Sequence, residues 1–113
     1  MAEDQKTSTK YDPFAPIANH YDDMMEHVCY ERWLHVTRTL GEMLPGPFSH
    51  LDAGCGTGIL LKKLREHQWR SVGMDLSPTM LRVARYRHAL QRLVNGDFSA
   101  PPFVNHFMLI TCL

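Results

Sequence analysis

The sequence predicts an α/β fold, a parallel sheet with helices on both faces, preceded by an N-terminal helical segment. Three observations predict it. From residue 48 the pattern alternates strand, helix, strand, helix, strand, strand, which implies right-handed crossovers between parallel strands. A glycine-rich turn, Gly54-Cys55-Gly56-Thr57-Gly58, joins the first strand pattern to the helix pattern that follows. Pro45-Gly46-Pro47 separates this region from a helix-periodic stretch before it.

The elements follow in chain order. Residues 1–15 are expected to be disordered or loosely attached, because Met1 to Lys10 is polar and has no apolar period. Residues 16–47 form a helical cap, helical over about 16–44. Tyr21, Met24, Met25 and Val28 fall at helical spacing, and Tyr30, Trp33, Thr37, Leu40 and Leu44 make a second stripe. Residues 48–113 form the α/β part. His50-Leu51-Asp52-Ala53 reads as the first strand, and Ile59-Leu60-Leu61 opens the helix beyond the glycine turn. Ser71-Val72-Gly73-Met74-Asp75 is the second strand. Ser77 is a good N-cap and Pro78 suits a first helical position, so a helix begins directly after Asp75 and leaves its carboxylate at the strand tip. Leu93 to Phe98 reads as a third strand. Phe107 to Leu113, apolar on both faces as a central parallel strand should be, reads as a fourth.

Composition narrows the function. At 113 residues the chain is one small domain, and twelve acidic residues balance twelve basic ones. Nothing in that balance attracts nucleic acid or an anionic membrane. There is no run of eighteen apolar residues and no signal-peptide core. Cys29, Cys55 and Cys112 are odd in number and lack metal spacing, which suits reduced thiols in the cytoplasm. His27, Glu31 and His35 recur every fourth residue, but no further ligand accompanies them and they read as a solvated helix face. Arg82, Arg85, Arg87 and Arg92 likewise mark an exposed helix face.

The chemistry lies in the glycine turn. Three glycines at every second position let the backbone turn sharply and let a ligand lie against bare main chain. The turn opens a helix N-terminus, whose unpaired N–H groups would face that ligand. Asp75 follows Gly54 by twenty-one residues, where a carboxylate can accept both hydroxyls of a ribose. The chain therefore reads as a holder of a nucleoside-like cofactor. A dinucleotide fingerprint would need glycine at position 59, which is Ile59, and a phosphate loop would need a Gly-Lys-Ser/Thr ending that is absent.

Asp52-x-Gly54-x-Gly56-x-Gly58 instead resembles the first motif of class I S-adenosylmethionine-dependent methyltransferases. Val72 to Leu81 resembles that family's second signature, with the ribose-binding acid at Asp75. Leu93-Val94-Asn95-Gly96-Asp97-Phe98 resembles its third strand, where the Asp contacts the adenine amino group and the next residue lies near the ring. Phe107 to Leu113 resembles its fourth strand, although His106 and Phe107 stand where the family usually has Phe/Tyr-Asp. Ala18 to Met24 is similar to a Tyr-Asp element that covers the cofactor; Tyr21 either closes over the cofactor's methionine end or is one more residue of the apolar stripe.

The resemblance implies a Rossmann-like sheet of strand order 3-2-1-4. It implies S-adenosylmethionine as cofactor, held by Tyr21, Asp52, Gly54, Cys55, Gly56, Gly58, Asp75, Leu76, Asp97 and Phe98. It also implies methyl transfer to a small molecule by in-line displacement, without a metal. His20 and His106 could serve as a base by their chemistry, but neither has a supporting context. The family's sheet has seven strands, and the last three usually help form the substrate pocket. The resemblance covers the first half of that domain, so the expectation is a methyltransferase or its cofactor-binding fragment. Phe107 to Leu113 would then be an apolar edge able to pair with another chain. The alternative is a non-catalytic binding module that keeps the cofactor fold and pairs through that edge.

Overall fold

The computed structural model describes residues 12–25, 29–97 and 107–112. A 3-10 turn, Ala15–His20, leads into α1 (Tyr21–Met24) and α2 (Tyr30–Glu42). Then follow β1 (His50–Ala53), α3 (Ile59–Arg65), β2 (Ser71–Asp75), α4 (Pro78–His88), β3 (Leu93–Asn95) and β4 (Leu109–Thr111). The strands are all parallel in the order β3-β2-β1-β4, the order that the family resemblance implies.

Alternation along the strands sorts the core. On one face Leu51, Ala53 and Met74 are buried with Val72, Val94, Phe107 and Ile110 against them. The other face carries Gly73, and α3 lies close because that residue has no side chain: a Cβ there would come within 2.5 Å of Leu61 Cδ1. Ala84, Leu90 and Leu93 complete this layer around Leu61. Each fully buried leucine contributes about 1.5–3 kcal/mol relative to exposure. Helix α4 starts as its sequence dictates. Ser77 is extended, its hydroxyl accepts from the Met80 N–H at 3.1 Å, and Pro78 takes the first helical position.

The N-terminal segment departs from the continuous helix expected over 16–44. Helix α1 ends at Met24, and Cys29, with ψ of 70°, is not helical when α2 begins. Val28 lies outside the described residues. The buried face of α2 is Leu34, Thr37 and Gly41, whereas Trp33 and Leu40 stay 40% and 44% exposed. Aromatic packing explains the rotation. A Cβ on Gly41 would lie 2.6 Å from Trp69 Cζ2 and 2.8 Å from Phe48 Cζ, so the bare turn of the helix faces that ring pair. The third and fourth strands are also shorter than their apolar runs. At the end of β3, Asn95 turns its amide back to the carbonyls of Asp75 and Leu76, at 2.9 and 3.0 Å. Asp12, inside the stretch expected to be loosely attached, accepts from the Ser77 hydroxyl at 2.7 Å.

Strand β1 holds a buried polar row. His50 is 2% exposed, with Nδ1 2.7 Å from Ser71 Oγ and Nε2 2.9 Å from Thr111 Oγ1. The Thr111 hydroxyl in turn donates to Asp52 Oδ1 at 2.7 Å. Burial lowers the His50 pKa to about 4. Burial raises that of Asp52 to about 6, against the Thr111 hydrogen bond and reinforced by the charge of Asp75.

Two outcomes are expected. Gly41→Ala forces Trp69 and Phe48 aside and should cost about 1–3 kcal/mol in urea unfolding, the usual price of overpacking. The second concerns pH between about 4 and 6.5. There the unfolded chain binds more protons at His50 than the native chain does, so that residue makes stability rise with pH. At Asp52 the native chain binds more, so that residue makes stability fall as pH rises. The two oppose one another. Thermal unfolding of Asp52→Asn should therefore lose stability on acidification through this window, and His50→Leu should gain it. Asp12 and Asp22, whose carboxyls are lowered, act below it.

Candidate functional site

The glycine turn runs across the tip of β2. Gly54, Gly56 and Gly58 have φ of 73°, 60° and 83°, a region that other residues enter only with strain. Four amides of this turn are taken up inside the protein. Those of Gly54 and Cys55 donate to the Met74 carbonyl at 2.7 and 3.0 Å, and that of Gly58 to the Cys55 carbonyl at 3.0 Å. The Gly56 amide donates to Asp75 Oδ2 at 2.7 Å. Main-chain donors so close to a strand end take the nearest acceptors. The turn instead offers the Cα surfaces of Gly54 and Gly56. Nothing lies within 4 Å of a Cβ built on Gly54, and one on Gly56 would meet the Tyr21 ring at 3.6 Å.

Asp75 sits at the strand tip that its sequence context predicts. Its second oxygen, Oδ1, accepts from the Ser77 N–H at 2.9 Å. A carboxylate has about four lone-pair sites, so each oxygen keeps capacity for a further donor.

A cavity of about 390 Å³ opens over these tips. Tyr21, Gly54, Gly56, Asp75, Leu76 and Asp97 all line it, so six residues expected from the sequence meet at one place. Three others do not line it. Asp52 is buried within β1 beneath Thr111. Cys55 turns its sulfur inward to the Leu61–Ala84–Leu90 cluster, where burial pushes its thiol up. Gly58 is buried because Leu90 packs on it; a Cβ there would come 2.2 Å from Leu90 Cδ1. Phe98 lies outside the described residues, as does His106. The cavity also takes in Phe14, Met74, Met80, Gly96 and Cys112. Met80 was missed, although its place on the first turn of α4, just after the Ser77 cap, was a signal that could have found it. Phe14 had no signal, since it follows a polar tail.

The helical cap closes one side. Asp22 accepts from the Thr57 hydroxyl, from Arg87 at 3.2 Å, and lies 2.9 Å from His88 Nε2. Burial alone would raise the Asp22 carboxyl, but these partners hold it below the usual range. Arg87 also donates to the Asn19 carbonyl at 2.8 Å. Helix α1 is thereby tied to both the glycine turn and α4. The Tyr21 ring packs on Met80, and its phenol interacts with that of Tyr30. Burial and the nearby Asp75 and Asp22 raise Tyr21, and burial chiefly pushes Tyr30 up to about 12, so both stay protonated at neutral pH.

The lining suits one kind of ligand. Asp75 and Asp97 accept from hydroxyl and amino groups, and two methionines and Phe14 supply apolar wall. Among the described residues that line the cavity there is no Lys or Arg to neutralise a phosphate. The carboxylates, bare turn and apolar wall fit an adenosyl group bearing a thioether or sulfonium better than a dinucleotide. Among the described residues, no helix is long and apolar enough to cross a membrane.

Comparison with known proteins agrees with this geometry. A family profile described as a methyltransferase domain matches residues 51–113. The malonyl-[acyl-carrier protein] O-methyltransferase of Pectobacterium atrosepticum is 36% identical over 83 residues, covering 68% of this chain and 33% of that protein. The sugar N-methyltransferase KedS8 from Streptoalloteichus superposes with a TM-score of 0.69 at 27% identity, over 100% of this chain and 45% of that one. The fold is shared with S-adenosylmethionine-bound CalS10, an amino pentose methyltransferase from Micromonospora echinaspora (TM-score 0.68, 23% identity, 96% of this chain and 44% of that one). The chain thus spans about a third of the length of the curated relative and under half of these solved structures. Motif, strand order and relatives converge: the chain belongs to the class I S-adenosylmethionine-dependent methyltransferase family.

Proposed function

We propose that this chain binds S-adenosylmethionine in the cavity over the strand tips and forms the cofactor-binding part of a methyltransferase acting on a small molecule. One observation carries the reading. Asp75, anchored by two amides, stands with spare lone pairs beside Gly54 and Gly56 in a cavity whose described lining has no cationic side chain. In this reading Asp75 takes the ribose hydroxyls and Asp97 the adenine amino group, with Leu76 and Phe98 beside the base. Tyr21 covers the methionine end. Asp52, Cys55 and Gly58 act from behind the turn by holding its shape.

When bound, the cofactor supplies a methyl group already activated on sulfur. What the chain must do is hold it, exclude water and fix its direction; such positioning can contribute roughly 7–11 kcal/mol. Tyr21 and the Asp22 tie to Thr57 serve that end by keeping the cap over the turn. The acceptor's class is inferred from relatives named for a sugar and for malonyl-[acyl-carrier protein]. In the same reading β4, at the edge of the sheet, is where a further strand pairs. Three unbridged cysteines fit the reducing cytoplasm.

The purified chain titrated with S-adenosylmethionine, S-adenosylhomocysteine and NAD tests the reading by thermal shift. An adenosyl ligand at a hundred times its dissociation constant should add about 2.7 kcal/mol of stability. Asp75→Ala should abolish most of that shift relative to its own ligand-free form, since hydrogen bonds to a charged group contribute about 1.5–3 kcal/mol. A folded chain that responds to neither adenosyl ligand, or an Asp75→Ala variant that responds as the parent does, refutes it. A response to NAD alone would point to an oxidoreductase.

A further inference from the structure

A buried histidine is out of place in the central strand of a parallel sheet, where both faces are covered and apolar residues are the rule. His50 occupies such a place, and every polar atom around it points along one line. Ser71 Oγ is 2.7 Å from Nδ1, Nε2 is 2.9 Å from Thr111 Oγ1, and the Thr111 hydroxyl donates to Asp52 Oδ1 at 2.7 Å. The register of the sheet produces this line. Ser71 lies opposite His50 on β2, and Thr111 lies opposite Asp52 on β4.

Donor counting sets the direction of the chain. A hydroxyl has one proton, and the Thr111 proton goes to Asp52. Thr111 must then accept from His50, which requires the proton on Nε2. Nδ1 is left as an acceptor, and the Ser71 hydroxyl fills it. All three protons therefore point towards the carboxylate, the arrangement in which successive hydrogen bonds strengthen one another.

The geometry assigns His50 as a positioning residue for Asp52: its Nε2–H tautomer aligns Thr111 to donate to that carboxylate and so favours the carboxylate's charged form beneath the glycine turn. This inference deepens the cofactor reading, on which its relevance to binding rests, but the relay exists without a ligand. Other groups act on Asp52 as well. The charge of Asp75 on β2 opposes its ionisation, while the Tyr30 phenol from α2 and the Cys55 thiol from the turn feel its charge. The Trp69 ring packs on His50 edge-on at 5.2 Å, and Arg70 lines the recess beside it. A merely space-filling histidine would leave the titration of Asp52 indifferent to its replacement.

Nuclear magnetic resonance on the ligand-free chain reads this directly. The His50 ring nitrogens should show the neutral Nε2–H tautomer from pH 5.5 to 8. The carboxyl carbon of Asp52 should titrate with a protonation constant roughly tenfold higher in Thr111→Val than in the parent, since a hydrogen bond to the charge is lost. His50→Leu should move it the same way by a smaller factor, and His50→Gln, which keeps an N–H donor, should restore it in part. An Nδ1–H tautomer, or an Asp52 titration unmoved in both Thr111→Val and His50→Leu, overturns the assignment. If His50→Leu does not fold, the parent's tautomer and the Thr111→Val titration still decide. The adenosyl titration separates the two ideas. An intact relay in a chain that binds no adenosyl ligand refutes the cofactor reading alone, whereas a normal ligand shift with an unmoved Asp52 refutes the relay alone.

Discussion

Two hydrogen bonds to one carboxylate organise the working end of this molecule. Asp75 accepts from the amide of Gly56 with one oxygen and from the amide of Ser77 with the other. The first holds the glycine turn against the tip of β2, and the second sets the start of α4. The Ser77 hydroxyl extends the arrangement, accepting from the Met80 amide while donating to Asp12. Burial alone would raise the carboxyl of Asp12, but this bond and the Phe14 and Thr79 amides hold it below its ordinary range. One side chain at a strand end thus couples the turn, the helix that follows and the incoming N-terminal chain. With the amides of Gly54, Cys55, Gly56 and Gly58 taken internally, the turn offers a ligand bare glycine surface beside spare carboxylate lone pairs.

A chain of zero formal charge is still polarised by this design. Asp12, Asp22, Asp75 and Asp97 gather around the strand tips, while Arg65, Arg70 and Arg92 border a separate cleft of about 330 Å³ beside the entries to β2 and β3. Arg87 is the exception that proves useful. It reaches from α4 to Asp22 and Asn19 and, with His88, binds the cap to the body. The overall charge count, which argued against attraction to large polyanions, says nothing of this local arrangement.

Much of the site was legible in the sequence. The run from His50 to Gly58 and the Asp75-Leu76-Ser77-Pro78 corner each join local turn chemistry to a strand end, so position along the chain determined position in space. Strand order was implied by the family resemblance and not by the strand–helix alternation itself, which leaves the order open. The less legible parts depend on contacts between distant residues. The rotation of α2 is set by Gly41 against Trp69 and Phe48, a contact no periodicity reveals. Amide direction in the glycine turn depends on the Met74 carbonyl and the Asp75 carboxylate beside it. Gly58 was read as a ligand contact, yet its lack of a side chain admits Leu90, thirty-two residues away. Asp52 was read as facing the cofactor, but its hydrogen bond to Thr111 on β4 fixes it inside the sheet.

A crystal structure of the chain with S-adenosylhomocysteine would show where the cofactor sits. The sugar hydroxyls should lie on the Asp75 carboxylate, the base beside Leu76 and Asp97, and the amino-acid end along Gly54 and Gly56 under Tyr21. A ligand seated in another cavity, or one bound at the strand tips with its sugar turned away from Asp75, would contradict this placement.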